Sequence, residues 1–145
     1  MSKLLKILGY IWATPTTLGA LILWFLPMLV LRQLNCAGWK WGALEWTIIR
    51  GSWMYNNYGI EWAATTLGYN IMYNPDYIDD ATTKVHERRH VVQDWILGPL
   101  FLPIYLILCL PFGYTDNPFE VDARNFAKKI MGPPDQSLHF LTTFF

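Results

Sequence analysis

His86-Glu87-Arg88-Arg89-His90 sets two imidazoles four residues apart with a carboxylate between them. On a helix, positions i and i+4 share one face about one turn apart, so both rings can reach one tetrahedral metal ion. Glu87 sits one residue round, placed to exchange a proton with a water on that ion without ligating it. Zinc lowers the pKa of such a water to about 7, which supplies a hydroxide-like nucleophile at neutral pH. The chemistry is hydrolysis: the carboxylate takes the water's proton and returns it to the leaving amine as general acid. The plainer reading of "KVHERRH" is a solvated helix face with ordinary exposed histidines. Arg88 and Arg89 are expected to be solvated under either reading.

This motif, with "NPFEVDAR" on a second predicted helix, resembles the zincin metallopeptidases and, within them, the gluzincins, over Thr82 to Arg124. The resemblance implies a zinc peptidase on a minimal zincin-like α+β domain, with peptide or protein as substrate. His86 and His90 would be ligands, Glu87 the base and Glu120, from the downstream helix, the third ligand. It also implies that substrate lies along an edge strand above the site. Glu120 has a second reading, because Asn117-x-x-Glu120 has the spacing of a capping box in which the glutamate reaches back to the cap residue's N–H. His139 and Asp116 are reserve ligands. Gluzincins carry an acidic residue four positions after the third ligand to orient a ligand histidine. Here that position is Arg124, and Asp122 falls on another face. Another acceptor must then fix the tautomer, and Asp94, one turn beyond His90, is the candidate. Gln93 shares the metal face, where an interior polar contact explains it equally well. Tyr114 and His139 are candidate donors to the transition state.

These residues need elements to position them. Asp80, Thr82 or Thr83 can cap a helix carrying Val85 to about Leu97, which Gly98-Pro99 interrupts. A last helix is expected from near Asn117, with Pro118 in its first position and Phe119, Ala123, Phe126 and Ile130 at helical spacing. Ahead of the motif, residues 39–78 are rich in Trp, Tyr, Thr and Ile, with recurrent turn residues. Strands are expected at Leu44–Arg50, Trp53–Tyr55, Ile60–Thr66 and Tyr69–Tyr73, forming a small antiparallel sheet.

Composition sets the surroundings. The chain is 53% hydrophobic, 17% aromatic and only 15% charged, against ~25% charged in a typical soluble domain. No charge falls between Lys6 and Arg32, or between Asp94 and Asp116. The first gap predicts an apolar anchor over residues 1–32, kinked by Pro15. It is too long for a signal-peptide core, and no small-residue cleavage site follows. Its orientation is open, since Lys3 and Lys6 are balanced by Arg32 and Lys40. The second gap contains Pro99, Pro103 and Pro111. As one straight helix, Trp95–Thr115 would separate its ends by about 31 Å and put His90 and Glu120 on opposite sides of a bilayer. A shared zinc therefore requires a bent apolar hairpin, turning near Pro103 or Pro111. The expectation is a single domain, 1–145, with a zinc site in residues 82–131 held at a membrane surface. Zero net charge and the lack of a basic patch argue against nucleic acid. Cys36 and Cys109 are too few for a disulfide framework. Two other functions fit the residues: a membrane-associated structural or interaction protein whose HExxH is non-catalytic, and a soluble or virion-borne hydrolase of cell-wall peptide.

Overall fold

The computed structural model describes residues 3–58 and 62–132. It begins with a long apolar helix. α1 (Lys3–Ala20) continues through a π-helical turn (Leu21–Phe25) into α2 (Leu26–Val30). Pro15 lies inside α1, and the hydroxyls of Thr14 and Thr17 donate back to the carbonyls of Tyr10 and Ala13, bonds that bend a helix.

Four strands follow, β1 (Leu34–Lys40), β2 (Ala43–Ile48), β3 (Ala64–Leu67) and β4 (Asn70–Tyr73), in the order β1-β2-β4-β3. The sheet is mixed, not antiparallel as the turn pattern suggests: β1–β2 and β3–β4 are antiparallel hairpins, but β2 and β4 pair in parallel. A short helix, α3 (Trp53–Tyr58), occupies the crossover where a strand over Trp53–Tyr55 is expected. Its start is fixed by Ser52, whose Oγ accepts from the N–H of Tyr55, a helix cap. Ala64–Leu67 is what is observed of the expected strand Ile60–Thr66, whose first residues lie outside the described ones. β1 lies largely ahead of the region expected to form the sheet.

Strand alternation divides the core. Ala43, Ile71 and Tyr73 pack with Ala13, Val91 and Trp95, while Trp46, Ile48 and Met72 pack with Phe25, Leu34 and Met54. One sheet face thus carries α4 (Ala81–Leu97), and the other carries the π-turn and α3. Asp80 caps α4, accepting from Thr82 and Thr83 N–H. Contrary to expectation, Arg88 is buried; it pairs with Glu45 of β2 at 2.8 Å.

α4 ends at Gly98, and a 3-10 turn (Gly98–Leu100) leads into α5 (Phe101–Phe112). The chain reverses here. The rings of Phe101 and Tyr105 lie 6.2 and 6.4 Å from that of His90, whereas a straight helix would carry residue 105 about 22 Å beyond residue 90. The bend is at Gly98, not at Pro103 or Pro111. Pro103 falls in the first turn of α5, where no intrahelical bond is lost, and Pro111 falls in its last. Gly98 has φ +56, and a Cβ there would stand 2.4 Å from Nε1 of Trp12 in α1, so both conformation and space require glycine. A turn at residues 113–116 then leads to α6 (Pro118–Ile130), capped by Asn117, which accepts from Phe119 N–H. Ala127 and Ile130 pack on Val85, which lays α6 against α4.

Leu4–Val30 and Ala81–Phe112 are each long and apolar enough to cross a membrane. The reversal at Gly98 makes the second a bent stretch rather than a straight span. Its charged half is enclosed by the sheet, α1 and α6.

Candidate metal centre

α4 points His86 and His90 to one side, their Nε2 atoms 3.1 Å apart. α6 brings Glu120 to both: Oε2 lies 3.1 Å from Nε2 of His86, and Oε1 lies 3.2 Å from Nε2 of His90. Glu120 meets the two histidines through different oxygens, and one ligand atom from each of the three side chains lies within 4.8 Å of the others, close enough for a single ion with bonds of ~2.0–2.1 Å to draw them together. Glu120 is only 3% exposed, and among the described residues its Oε2 is faced by His86 Nε2 at 3.1 Å and by Arg124 at 3.9 Å. A buried carboxylate facing two imidazoles is a donor set that a cation would satisfy if both rings present lone pairs. The set of two imidazoles and one carboxylate suits zinc. Glu120 does not close a capping box: its carboxylate faces α4, and the N–H of Asn117 donates to Tyr114 O. Burial pushes the Glu120 carboxyl up, but the two imidazoles and the Tyr105 hydroxyl outweigh it and hold the group well below the usual range.

The tautomer of His90 is set by Gln93. Its Oε1 lies 2.7 Å from Nδ1 of His90, while its Nε2 donates to Asp122 Oδ2 at 2.8 Å and to Phe119 O at 3.1 Å. With both amide hydrogens used, the oxygen must face His90, so Nδ1 carries the proton and Nε2 offers its lone pair to the cluster. Arg89 grips Asp122 with two bonds, at 2.7 and 3.1 Å. Burial raises the Asp122 carboxyl, but the bonds from Arg89 and Gln93 bring it below the ordinary value. Asp94, expected to orient His90, is fully buried, and its carboxylate accepts no hydrogen bond from any described residue. Gln93 holds that position, with Asp122 behind it. Arg89 is thus a partner, not a free solvated charge.

Glu87, one residue round α4, reaches toward β3 of the sheet. The hydroxyl of Thr66 donates to its Oε2 at 2.7 Å. Burial raises its carboxyl above the usual value, against the opposing pull of His90, the Thr66 bond and His86. Glu87, His90 and Glu120 all line a cavity of about 480 Å³. β3, the edge strand, forms one wall of it. Asn74 N donates to Ala63 O, so in the antiparallel register Ala64 and Thr66 are the residues whose N–H and C=O turn away from β4.

Tyr105 is the group that sequence reasoning missed. Its hydroxyl donates to Oε1 of Glu120 at 2.8 Å, and its carbonyl is held by Asn117 Nδ2. The available signal was that Tyr105 is the only hydroxyl-bearing residue between Trp95 and Phe112. Tyr114 lines the cavity but is 63% exposed. Asp116 is exposed and outside the cluster. Arg124, which stands where an acidic residue was sought, approaches Glu120 Oε2 at 3.9 Å. His139 lies outside the described residues. No family model, no curated protein and no solved structure matches this chain.

Proposed function

We propose that the protein is a zinc-dependent hydrolase, a metallopeptidase of gluzincin-like arrangement, working at a membrane surface. The observation that carries this reading is the convergence of His86, His90 and Glu120, with the two Nε2 atoms 3.1 Å apart and each 3.1–3.2 Å from an oxygen of the Glu120 carboxylate. These three side chains would hold the ion, and a bound zinc would supply Lewis acidity to the carbonyl and to a water.

The chain's own groups complete the reaction. Glu87, held by Thr66 at the edge of the cavity, takes a proton from the attacking water as its oxygen bonds to the carbonyl carbon. The C–N bond then breaks, and the same carboxyl returns the proton to the departing amine. Burial favours this role, because it lifts the Glu87 carboxyl toward working pH. The Tyr105 hydroxyl donates to Glu120 Oε1 and so steadies the carboxylate that would ligate the ion. A peptide substrate is favoured by the outward backbone groups of Ala64 and Thr66, which can add an extended chain to the sheet edge.

Membrane association is supported by the exposed apolar side chains. Leu23, Val30 and Leu110 are 80–85% exposed, and with Ile22, Leu106 and Ile107 they cover both apolar elements. A lipid phase would remove that surface from water.

Hydrolysis of a pool of detergent-solubilised proteins tests the reading. The zinc-loaded chain is expected to cleave, and Glu87→Gln to keep its zinc but lose about 10²–10⁴ in rate. Full activity in Glu87→Gln would overturn the assignment.

A further inference from the structure

Among the described residues, the cavity of the proposed hydrolase site is lined mostly by apolar side chains. It is bounded by Trp24 of the π-helical turn and by Phe101 and Leu102 of α5, with Trp62, Leu67 and Met72 also in its lining. Tyr114, 63% exposed, stands at the mouth, and so do Trp24 and Leu102, at 41% and 37%. Trp24 and Leu102 each belong to an element that is apolar on its outer side. Ile22, Leu23 and Leu26 flank Trp24, and Leu106, Ile107 and Leu110 follow Leu102, all exposed. Among the described residues, the charged side chains lining the cavity are Glu87, His90 and Glu120, which are hydrogen-bonded to Thr66, Gln93 and Tyr105 in turn.

We infer that the substrate of this site is an apolar, membrane-resident stretch of polypeptide. The inference rests on the hydrolase reading above and specifies its substrate class. A charged side chain passing between Trp24 and Leu102 would lose hydration between two apolar side chains that offer it no charge, a cost an apolar side chain escapes. A segment already in lipid would reach the mouth by sliding along the exposed faces of α1–α2 and α5. The outward N–H and C=O groups of Ala64 and Thr66 favour a polypeptide over an acyl lipid, because they match main-chain groups that a lipid tail lacks. Such a segment arrives helical and must open locally, and the strand edge offers partners for the backbone groups so released.

The test supplies the full-length, zinc-loaded chain in phosphatidylcholine vesicles with membrane proteins and soluble proteins from one cell lysate. Cut sites that vanish in Glu87→Gln are then mapped by mass spectrometry. Expected are cuts inside apolar segments of membrane proteins, with charged residues depleted on both sides of the scissile bond. Leu102→Glu is expected to lower those cuts about tenfold or more while leaving zinc content unchanged, because it puts an unpaired charge at the mouth. Cuts concentrated in charge-bearing soluble segments would overturn the inference and leave the hydrolase reading standing. Fatty acid released from the vesicles in a Glu87-dependent way would overturn it in favour of a lipid substrate. Hydrolysis of neither pool would overturn the inference and the hydrolase reading together.

Discussion

Gln93 holds its amide oxygen 2.7 Å from Nδ1 of His90, and both hydrogens on its nitrogen are taken by α6. One side chain therefore couples the tautomer of a candidate ligand to the docking of the helix that brings Glu120. Gln93→Leu is expected to weaken zinc binding about 10–100-fold, as loss of a group behind a metal-bound histidine commonly does. Competition with a chelator of known affinity measures it. An affinity equal to that of the natural chain would show that the bond does not orient His90.

Thr66 and Glu87 form the corresponding pair on the sheet side. Thr66→Val removes the hydroxyl bonded to the carboxylate but keeps the side chain's shape. It should lower turnover by about tenfold, the worth of a hydrogen bond to a charged group, and leave zinc affinity unchanged. Thr66→Ser should recover most of the loss. Equal loss of zinc and turnover in Thr66→Val would mean that the bond holds the fold rather than the base.

The reversal at Gly98 gives a stability prediction. Gly98→Ala forces a Cβ into positive φ and against Trp12, and is expected to destabilise the protein by about 1–3 kcal/mol. Gly19 lies in α1 with no atom within 4 Å of an added Cβ. Gly19→Ala should leave the melting temperature unchanged or slightly raised. Thermal melts in detergent compare the two, and equal stabilities would remove the special role given to Gly98.

What could be read from the chain was mostly local. Asp80 and Asn117 announce the starts of α4 and α6 because a cap acts within three residues. The pair His86/His90 is legible for the same reason. The parallel pairing of β2 with β4 is not, because turn residues specify hairpins and say nothing of a crossover. Trp53–Tyr55 has strand composition, yet the cap from Ser52 and packing of Met54 in the core make it helical. Arg88 looks solvated in sequence because its partner, Glu45, lies on a strand far back in the chain. Asp122 was set aside because it is two residues from Glu120 and so on a different helix face. The length of the Gln93 side chain bridges that angle, which no helical projection of α6 alone could reveal.

Zinc K-edge absorption on the purified chain, with elemental analysis, tests the metal centre most directly. One zinc per chain is expected, bound by nitrogen and oxygen at ~2.0–2.1 Å with the scattering of two imidazoles, and lost in His86→Ala, His90→Ala and Glu120→Ala. A chain that purifies without zinc and takes up none at micromolar concentration would contradict the assignment, as would zinc held by sulfur of Cys36 or Cys109.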